Sequence, residues 1–157
     1  MKSVYDRRVI ARHLTAAVQR LAQNFPVVVI EGARQAGKST LTAMLPGVRR
    51  FVTMDDEFAR QSAELDPVGL IAPPRPLVID EIQRTPKLIL PIKASVDRER
   101  TPGQFFLTGS ADLLRIPEPG DSLAGRAATC RLHPFSQGEI AGTDDRFVYT
   151  DGPDVHT

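Results

Sequence analysis

One stretch constrains this chain more than any other: Val27 to Leu41, reading Val-Val-Val-Ile-Glu-Gly-Ala-Arg-Gln-Ala-Gly-Lys-Ser-Thr-Leu. Val27 to Ile30 are consecutive β-branched residues, apolar on both faces, as a central parallel strand covered by helices on both sides must be. Directly after them, Gly32 to Ser39 spells G-x-x-x-x-G-K-S, a phosphate-binding loop. Glycines at 32 and 37 let the backbone adopt conformations closed to other residues, so that successive N–H groups point inward around an anion. The cradle is expected to comprise Gly32, Ala33, Arg34, Gln35, Ala36, Gly37, Lys38, Ser39 and Thr40. Lys38 can reach the β- and γ-phosphates and the Ser39 hydroxyl can ligate Mg²⁺. The helix beginning there adds the positive end of its dipole. For Arg34 two roles stay open, a phosphate or carboxylate contact or plain surface exposure.

At 157 residues and 41% hydrophobic, the chain has the makings of one globular domain with a real core. A formal charge of +1 gives no electrostatic case for nucleic acid as a partner. The lone Cys130 cannot form an internal disulfide, which fits a reducing, cytoplasmic setting. The charged start, Met1 to Arg8, does not read as a signal peptide. No apolar run approaches the roughly 18 residues of a membrane span, so no membrane partner is expected.

Along the chain, Val9, Ile10, Leu14, Val18 and Leu21 recur at helical spacing, which predicts an amphipathic helix from about Tyr5 to Gln23. Residues 1–24 are therefore expected to pack on a core spanning 25–142, with a polar tail at 143–157. A short helix over Ser39 to Leu45 stops at Pro46-Gly47. Arg50 to Met54 reads as a strand, and Asp55-Asp56-Glu57 as the acidic start of a helix to Leu65. Proline-rich Asp66 to Pro76 is expected to be irregular at its end. Leu77 to Ile79 is an apolar run closed by Asp80-Glu81. Lys87 to Glu99 reads as a helix in which Pro91 marks a bend or the first turn. Phe105 to Thr108 is a buried strand ending at Gly109-Ser110. Ala111 to Ile116 suggests a helical turn, Pro117 to Asp121 a loop, and Ala127 to Leu132 a last, weakly alternating strand. Strands separated by helices predict an α/β three-layer sandwich with a parallel central sheet.

Ligands of such sheets bind at the carboxyl ends of the strands. That rule brings Gly32 to Ser39, Asp80-Glu81 and Ser110 to one rim, because each directly follows an apolar strand. Asp80 is placed to hold the Mg²⁺ shell opposite Ser39. Glu81, facing the crevice, could polarise a water for in-line attack on a γ-phosphate. Ser110 could hydrogen-bond that water or the phosphate, with Thr108 as the nearby substitute. Arg126, in Ser122-Leu-Ala-Gly-Arg, is a candidate for an arginine inserted against the transferring phosphoryl group. His13 and His133 lack partners at metal-ligand spacing, and Cys130 is most simply core.

Several segments together resemble one family: Gly-Ala-Arg-Gln-Ala-Gly-Lys-Ser at 32–39, Ile-Asp-Glu-Ile-Gln at 79–83 and Pro-Gly-Gln-Phe-Phe-Leu-Thr-Gly-Ser at 102–110. Ser-Leu-Ala-Gly-Arg at 122–126 and the following His-Pro-Phe-Ser-Gln-Gly-Glu add to them. They are similar to the largely uncharacterised bacterial and archaeal ATPases of the AAA+ superfamily. The resemblance spans Arg7 to about Ile140. It implies a P-loop core that binds ATP, with Asp80-Glu81 as the acidic pair and Ser110 in the first sensor position. It also implies that Arg126 acts on a neighbouring subunit of a homo-oligomer. Members usually continue beyond the Ser-Gln-Gly-Glu segment into a long second domain, whereas this chain ends in Asp151-Gly-Pro-Asp-Val-His-Thr. It therefore looks like an isolated or truncated ATPase domain, with no residue assignable as the second sensor arginine.

Mg²⁺-dependent ATP binding and hydrolysis, coupled to conformational change or assembly, is the leading functional expectation. The alternatives are a truncated, non-catalytic nucleotide-binding module and a small-molecule kinase. The kinase needs an arginine-rich lid for which Arg98 to Arg100 is too short. A GTPase is disfavoured because the chain has no Asn-Lys-x-Asp signature. Asp66-Pro-Val-Gly69 fits the other GTPase pattern only in letters, since it follows a helix-like segment.

Overall fold

Alternation of side chains along the strands sets the architecture. In a strand successive Cβ atoms point to opposite faces, so a strand apolar at every position must serve two cores. The computed structural model describes residues 12–110 and 123–142, and both cores are present in it. Val27 and Val29 of β1 (Val27–Gly32), Leu77 and Ile79 of β3 (Leu77–Asp80), and Phe105 and Leu107 of β4 (Phe105–Gly109) face one cluster. Ala63 of α3 (Glu57–Leu65) and Ile89, Ile92 and Val96 of α5 (Ile89–Arg98) complete it. Val28, Ile30, Val78 and Phe106 face the other cluster. There they meet Val18, Leu14 and Leu21 of α1 (Leu14–Ala22) and Leu41 of α2 (Lys38–Ala43). Each fully buried aliphatic or aromatic side chain contributes about 1.5–3 kcal/mol, so the two clusters fix the three-layer arrangement.

The sheet has five strands, all parallel, in the order β2-β3-β4-β1-β5, with β2 at Arg50–Thr53 and β5 at Ala127–Leu132. From β1 the chain crosses to the far edge at β2 and works back through β3 to β4. It then passes over β1 to the opposite edge. The carboxyl end of β1 is thus where the connections diverge, the position at which open α/β sheets form a ligand crevice. The edge strands are the less apolar ones. β5 buries only Leu132 fully, and β2 has no buried residue.

Several local expectations hold with shifted ends. Pro91 sits third in α5, within the first turn, where the backbone N–H it lacks has no intrahelical partner to lose. The helix after the phosphate loop ends at Ala43, and Gly47 follows with φ 81°. The 66–76 segment contains more order than its prolines suggest. Asp66 caps a short helix, α4 (Pro67–Leu70), by accepting a 2.8 Å hydrogen bond from the Gly69 N–H. Asp66 follows α3 directly rather than a strand, as the helix-like segment before it predicted. Residues 1–11, the turn and loop expected over 111–121, and the 143–157 tail lie outside the described residues.

The last element among the described residues, α6 (Gln137–Ala141), carries a reciprocal capping box. Ser136 Oγ accepts from the Glu139 N–H, and Glu139 Oε2 accepts from the Ser136 N–H, both at 3.1 Å. Glu139 Oε1 also accepts from the His13 N–H at 2.8 Å and pairs with Arg12 at 3.1 Å. Burial pushes this carboxyl upward, yet the His13 and Ser136 amides and the Arg12 guanidinium together hold it below its ordinary value of 4.5. A depressed carboxyl stabilises the fold above that value, and the contribution disappears as pH falls through the folded-state pKa. Glu139→Gln should therefore lower the unfolding free energy at pH 7 by about 1–3 kcal/mol. In chemical denaturation the gap between wild type and variant should narrow below about pH 4.5.

Cys130 lies on β5, with its thiol 3.5 Å from the Val29 carbonyl oxygen. Burial, together with the nearby Glu31, pushes the thiol up to about 12. Thiolate is the reactive form, so folded protein at pH 8 should react with a disulfide reagent far more slowly than unfolded protein. A rate equal to that of the unfolded chain would contradict this burial.

Candidate active site

The carboxyl ends of β1, β3 and β4 form one rim, and the loop after β1 wraps over it into α2. Gly37 takes φ 92° and Gln35 φ 64°, so the loop does turn through left-handed backbone at two points. Gly32 has another reason to be glycine. It ends β1 as a strand residue, and a Cβ there would lie 2.5 Å from the backbone oxygen of Leu132 on β5. Close approach of the neighbouring strand, not a special dihedral, excludes a side chain at Gly32.

Lys38 begins α2 and is only 4% exposed. Its ammonium turns back over the loop, donating to the Gly32 oxygen at 3.0 Å and the Ala33 oxygen at 2.9 Å. An ammonium has three protons, so one remains for an anion in the mouth of the loop. Ala33, Arg34 and Gln35 are exposed at the crown, Ala36 is buried beneath, and Thr40 is exposed in the first turn of α2. Surface exposure is thus the observed state of Arg34.

Asp80 gathers the rest of the rim. It is 4% exposed, and its carboxylate accepts three hydroxyl hydrogen bonds. Ser39 Oγ donates to Oδ1 at 2.7 Å, Thr108 Oγ1 donates to Oδ1 at 2.6 Å, and Thr53 Oγ1 donates to Oδ2 at 3.1 Å. Register makes this possible. Thr53 of β2 pairs with Asp80 itself, while Ile79 pairs with Leu107, which sets Thr108 beside Asp80. A hydroxyl and a carboxylate at 2.7 Å are hard oxygen donors of the kind Mg²⁺ takes. The donor set therefore fits a magnesium ion held by Ser39 and Asp80.

Glu81 adopts φ 56° and ψ 44°, a left-handed conformation that is uncommon for a residue with a side chain. Its N–H donates to Thr108 Oγ1 at 3.1 Å, and its carboxylate accepts from the Gln83 side-chain amide. Strained backbone of this kind collects at functional sites, where the surroundings over-determine it. The Gln83 Oε1 atom is buried with no protein partner. Thr108 itself is fully buried and occupied by Asp80 and the Glu81 amide, whereas Ser110 is exposed just past the end of β4.

Arg126 lies elsewhere. Its carbonyl accepts from the Val27 N–H, so it stands at the amino end of β5. The six residues of that strand separate it from the rim by about 20 Å. Its guanidinium grips Asp97 with two bonds, of 2.6 and 3.1 Å, and donates to the Ala124 oxygen at 3.0 Å. The Asp97 hydrogen bond raises the Arg126 pKa further, and Arg126 lowers that of Asp97. The structure thus brings together Lys38, Ser39, Asp80, Glu81 and Ser110 at one end of the sheet and leaves Arg126 at the other.

Three contributors were not picked out from the sequence. Thr53 ends β2 at the same rim, and the rule that placed Asp80 there applies to it equally. Gln83 needs the turn after Glu81 to come back on the carboxylate. Arg12, which donates to the Ala36 oxygen of the loop at 2.6 Å, becomes a neighbour only through tertiary packing. Among the described residues, no helix is long and apolar enough to cross a membrane.

Two uncharacterised mycobacterial proteins, from Mycobacterium bovis and Mycobacterium tuberculosis, are each 34% identical to this chain over 134 residues. The aligned region covers 84% of this chain but 30% of each relative, so the chain spans less than a third of their length. Residues 24–141 match the family described as AAA domain, a family of nucleotide-binding, ATPase-type domains. That span includes every strand of the parallel sheet and the whole rim. The chain therefore belongs to the AAA domain family.

Proposed function

We propose that this chain binds ATP with Mg²⁺ and hydrolyses it, using the energy for conformational change or assembly. One observation carries the reading: the 2.7 Å contact between Ser39 Oγ and Asp80 Oδ1, at the residue next to Lys38, whose ammonium holds the loop by two bonds and has a third proton to give. Backbone amides from Ala33 to Ser39 surround the polyphosphate, and Lys38 neutralises its charge. Ser39 and Asp80 hold the magnesium ion, which when bound neutralises charge developing on the phosphate oxygens. Thr53 and Thr108 keep Asp80 in the orientation that faces Ser39. Glu81 accepts a proton from the attacking water, and Ser110 hydrogen-bonds that water or the terminal phosphate. Adenine as the base follows from the family, not from a base-reading motif in these residues.

The bond from Gln83 to Glu81 favours a second reading, a nucleotide-binding module whose turnover is suppressed while that bond persists. Titration calorimetry with MgATP and a phosphate-release assay separate the two. Lys38→Ala should weaken MgATP binding by about tenfold or more, the loss of a hydrogen bond to a charged group. Glu81→Gln should keep binding and reduce turnover by about 10²-fold. Absence of MgATP binding by the wild-type protein would end both readings. Binding with turnover that Glu81→Gln leaves unchanged would remove Glu81 from the mechanism.

Arg126 acts on a neighbouring copy, a role supported by its distance from its own phosphate loop and by the exposed nature of its pair with Asp97. Exposed ion pairs are weak and are readily exchanged on association. Turnover per chain should therefore rise with protein concentration. Arg126→Ala chains should lack that rise and regain activity when mixed with Lys38→Ala chains; no recovery on mixing would contradict action between subunits.

A further inference from the structure

Arg12 precedes α1, and its side chain is 6% exposed. A guanidinium that deeply enclosed is stable only when its nitrogens find acceptors, and here all three nitrogens do so, on two segments far apart in sequence, the phosphate loop and residues 133–139. Nη1 donates to the Ala36 oxygen at 2.6 Å, Nη2 donates to the His133 oxygen, and Nε pairs with Glu139 Oε1 at 3.1 Å. The guanidinium carbon lies over the Phe135 ring, 4.3 Å from its centroid. Glu139 is tied in turn to the His13 and Ser136 amides, so the group is braced from both sides.

The Ala36 carbonyl belongs to the same peptide as the Gly37 N–H. That unit is planar and trans, so holding the oxygen on the outside of the loop fixes the N–H on the opposite side. A Cβ on Gly37 would come within 3.2 Å of Arg12 Nη1, a second reason for glycine there besides its φ of 92°. The Ala36 N–H closes the loop by donating to the Ala33 oxygen at 3.2 Å. Arg12 thus holds the peptide that carries the Gly37 N–H, while Lys38 holds the Gly32 and Ala33 oxygens.

We infer that Arg12 is a positioning residue for the phosphate site, setting the Ala36–Gly37 peptide so that its N–H faces the bound phosphate, with Glu139 and Phe135 holding the guanidinium in place. The consequence for phosphate binding rests on the nucleotide-binding reading above. The orientation of the loop does not, because it is a property of the free protein. α6 and the 133–139 segment are thereby coupled to phosphate affinity, since whatever displaces Glu139 also frees the guanidinium.

The test compares wild type with Arg12→Gln and Glu139→Gln. In ligand-free protein, hydrogen exchange at the Ala36 amide should quicken about tenfold or more in Arg12→Gln, relative to the Val28 to Ile30 amides of β1. Affinity for both MgATP and inorganic tripolyphosphate should fall by about tenfold, and by less in Glu139→Gln. An Ala36 amide that keeps pace with β1 in both variants would overturn the inference, because uniform acceleration is what general destabilisation produces. Wild-type affinity for both probes in a folded Arg12→Gln chain would also overturn it. Should Arg12→Gln fail to fold, Glu139→Gln decides by the same two measurements. Should the wild type bind neither probe, the nucleotide-binding reading fails and the exchange measurement alone decides the role of Arg12.

Discussion

The site depends on one carboxylate shared by three hydroxyls. Asp80 is nearly enclosed, and an enclosed carboxylate is costly unless it is hydrogen-bonded. Thr53 from β2, Thr108 from β4 and Ser39 from α2 satisfy it. The requirement to satisfy Asp80 thus pins two neighbouring strands and the start of a helix to a single point at the carboxyl end of β3. Thr108 passes the constraint on by accepting from the Glu81 amide, which helps to hold Glu81 in its left-handed backbone. The carboxylate proposed to hold the metal is thus also the one that joins these elements at the rim.

A second constraint acts from the other side of the loop. Lys38 ties the ascending limb to the start of α2 through the Gly32 and Ala33 oxygens. Arg12 holds the outer surface at Ala36. Between them the loop is gripped by two cations, each bound to its carbonyl oxygens. The left-handed turns at Gln35 and Gly37 belong to the same arrangement.

The sheet supplies the platform because β1, β3 and β4 bury residues on both faces and have no freedom to slip. A one-residue slip would exchange the two clusters and move Asp80 out of line with Thr53 and Thr108. The outer strands are more polar, and β5 turns Cys130 and Leu132 to one cluster while Thr129 and Arg131 are exposed. The Cys130 thiol lies against β1, and burial favours the protonated form, which suits packing.

The sequence by itself determined the parallel α/β sheet, the phosphate loop and the shared rim of residues 32–39, 80–81 and 110. Those features are written in local pattern: doubly apolar runs, glycine spacing, and polar residues that directly follow strands. It also singled out Arg126, but the local pattern could not say that the residue stands at the opposite end of the sheet, bound to Asp97. Tertiary structure alone decided that Gly32 is glycine because β5 passes too close for a Cβ. It likewise decided that Thr53 and Thr108 complete the shell of Asp80, that Gln83 returns to Glu81, and that Arg12 and Glu139 meet beside Ala36. The physical reason is the same in each case: these contacts join segments far apart in the chain or turn on exact backbone paths. Their partners are chosen by strand register and helix docking, quantities that no single segment encodes.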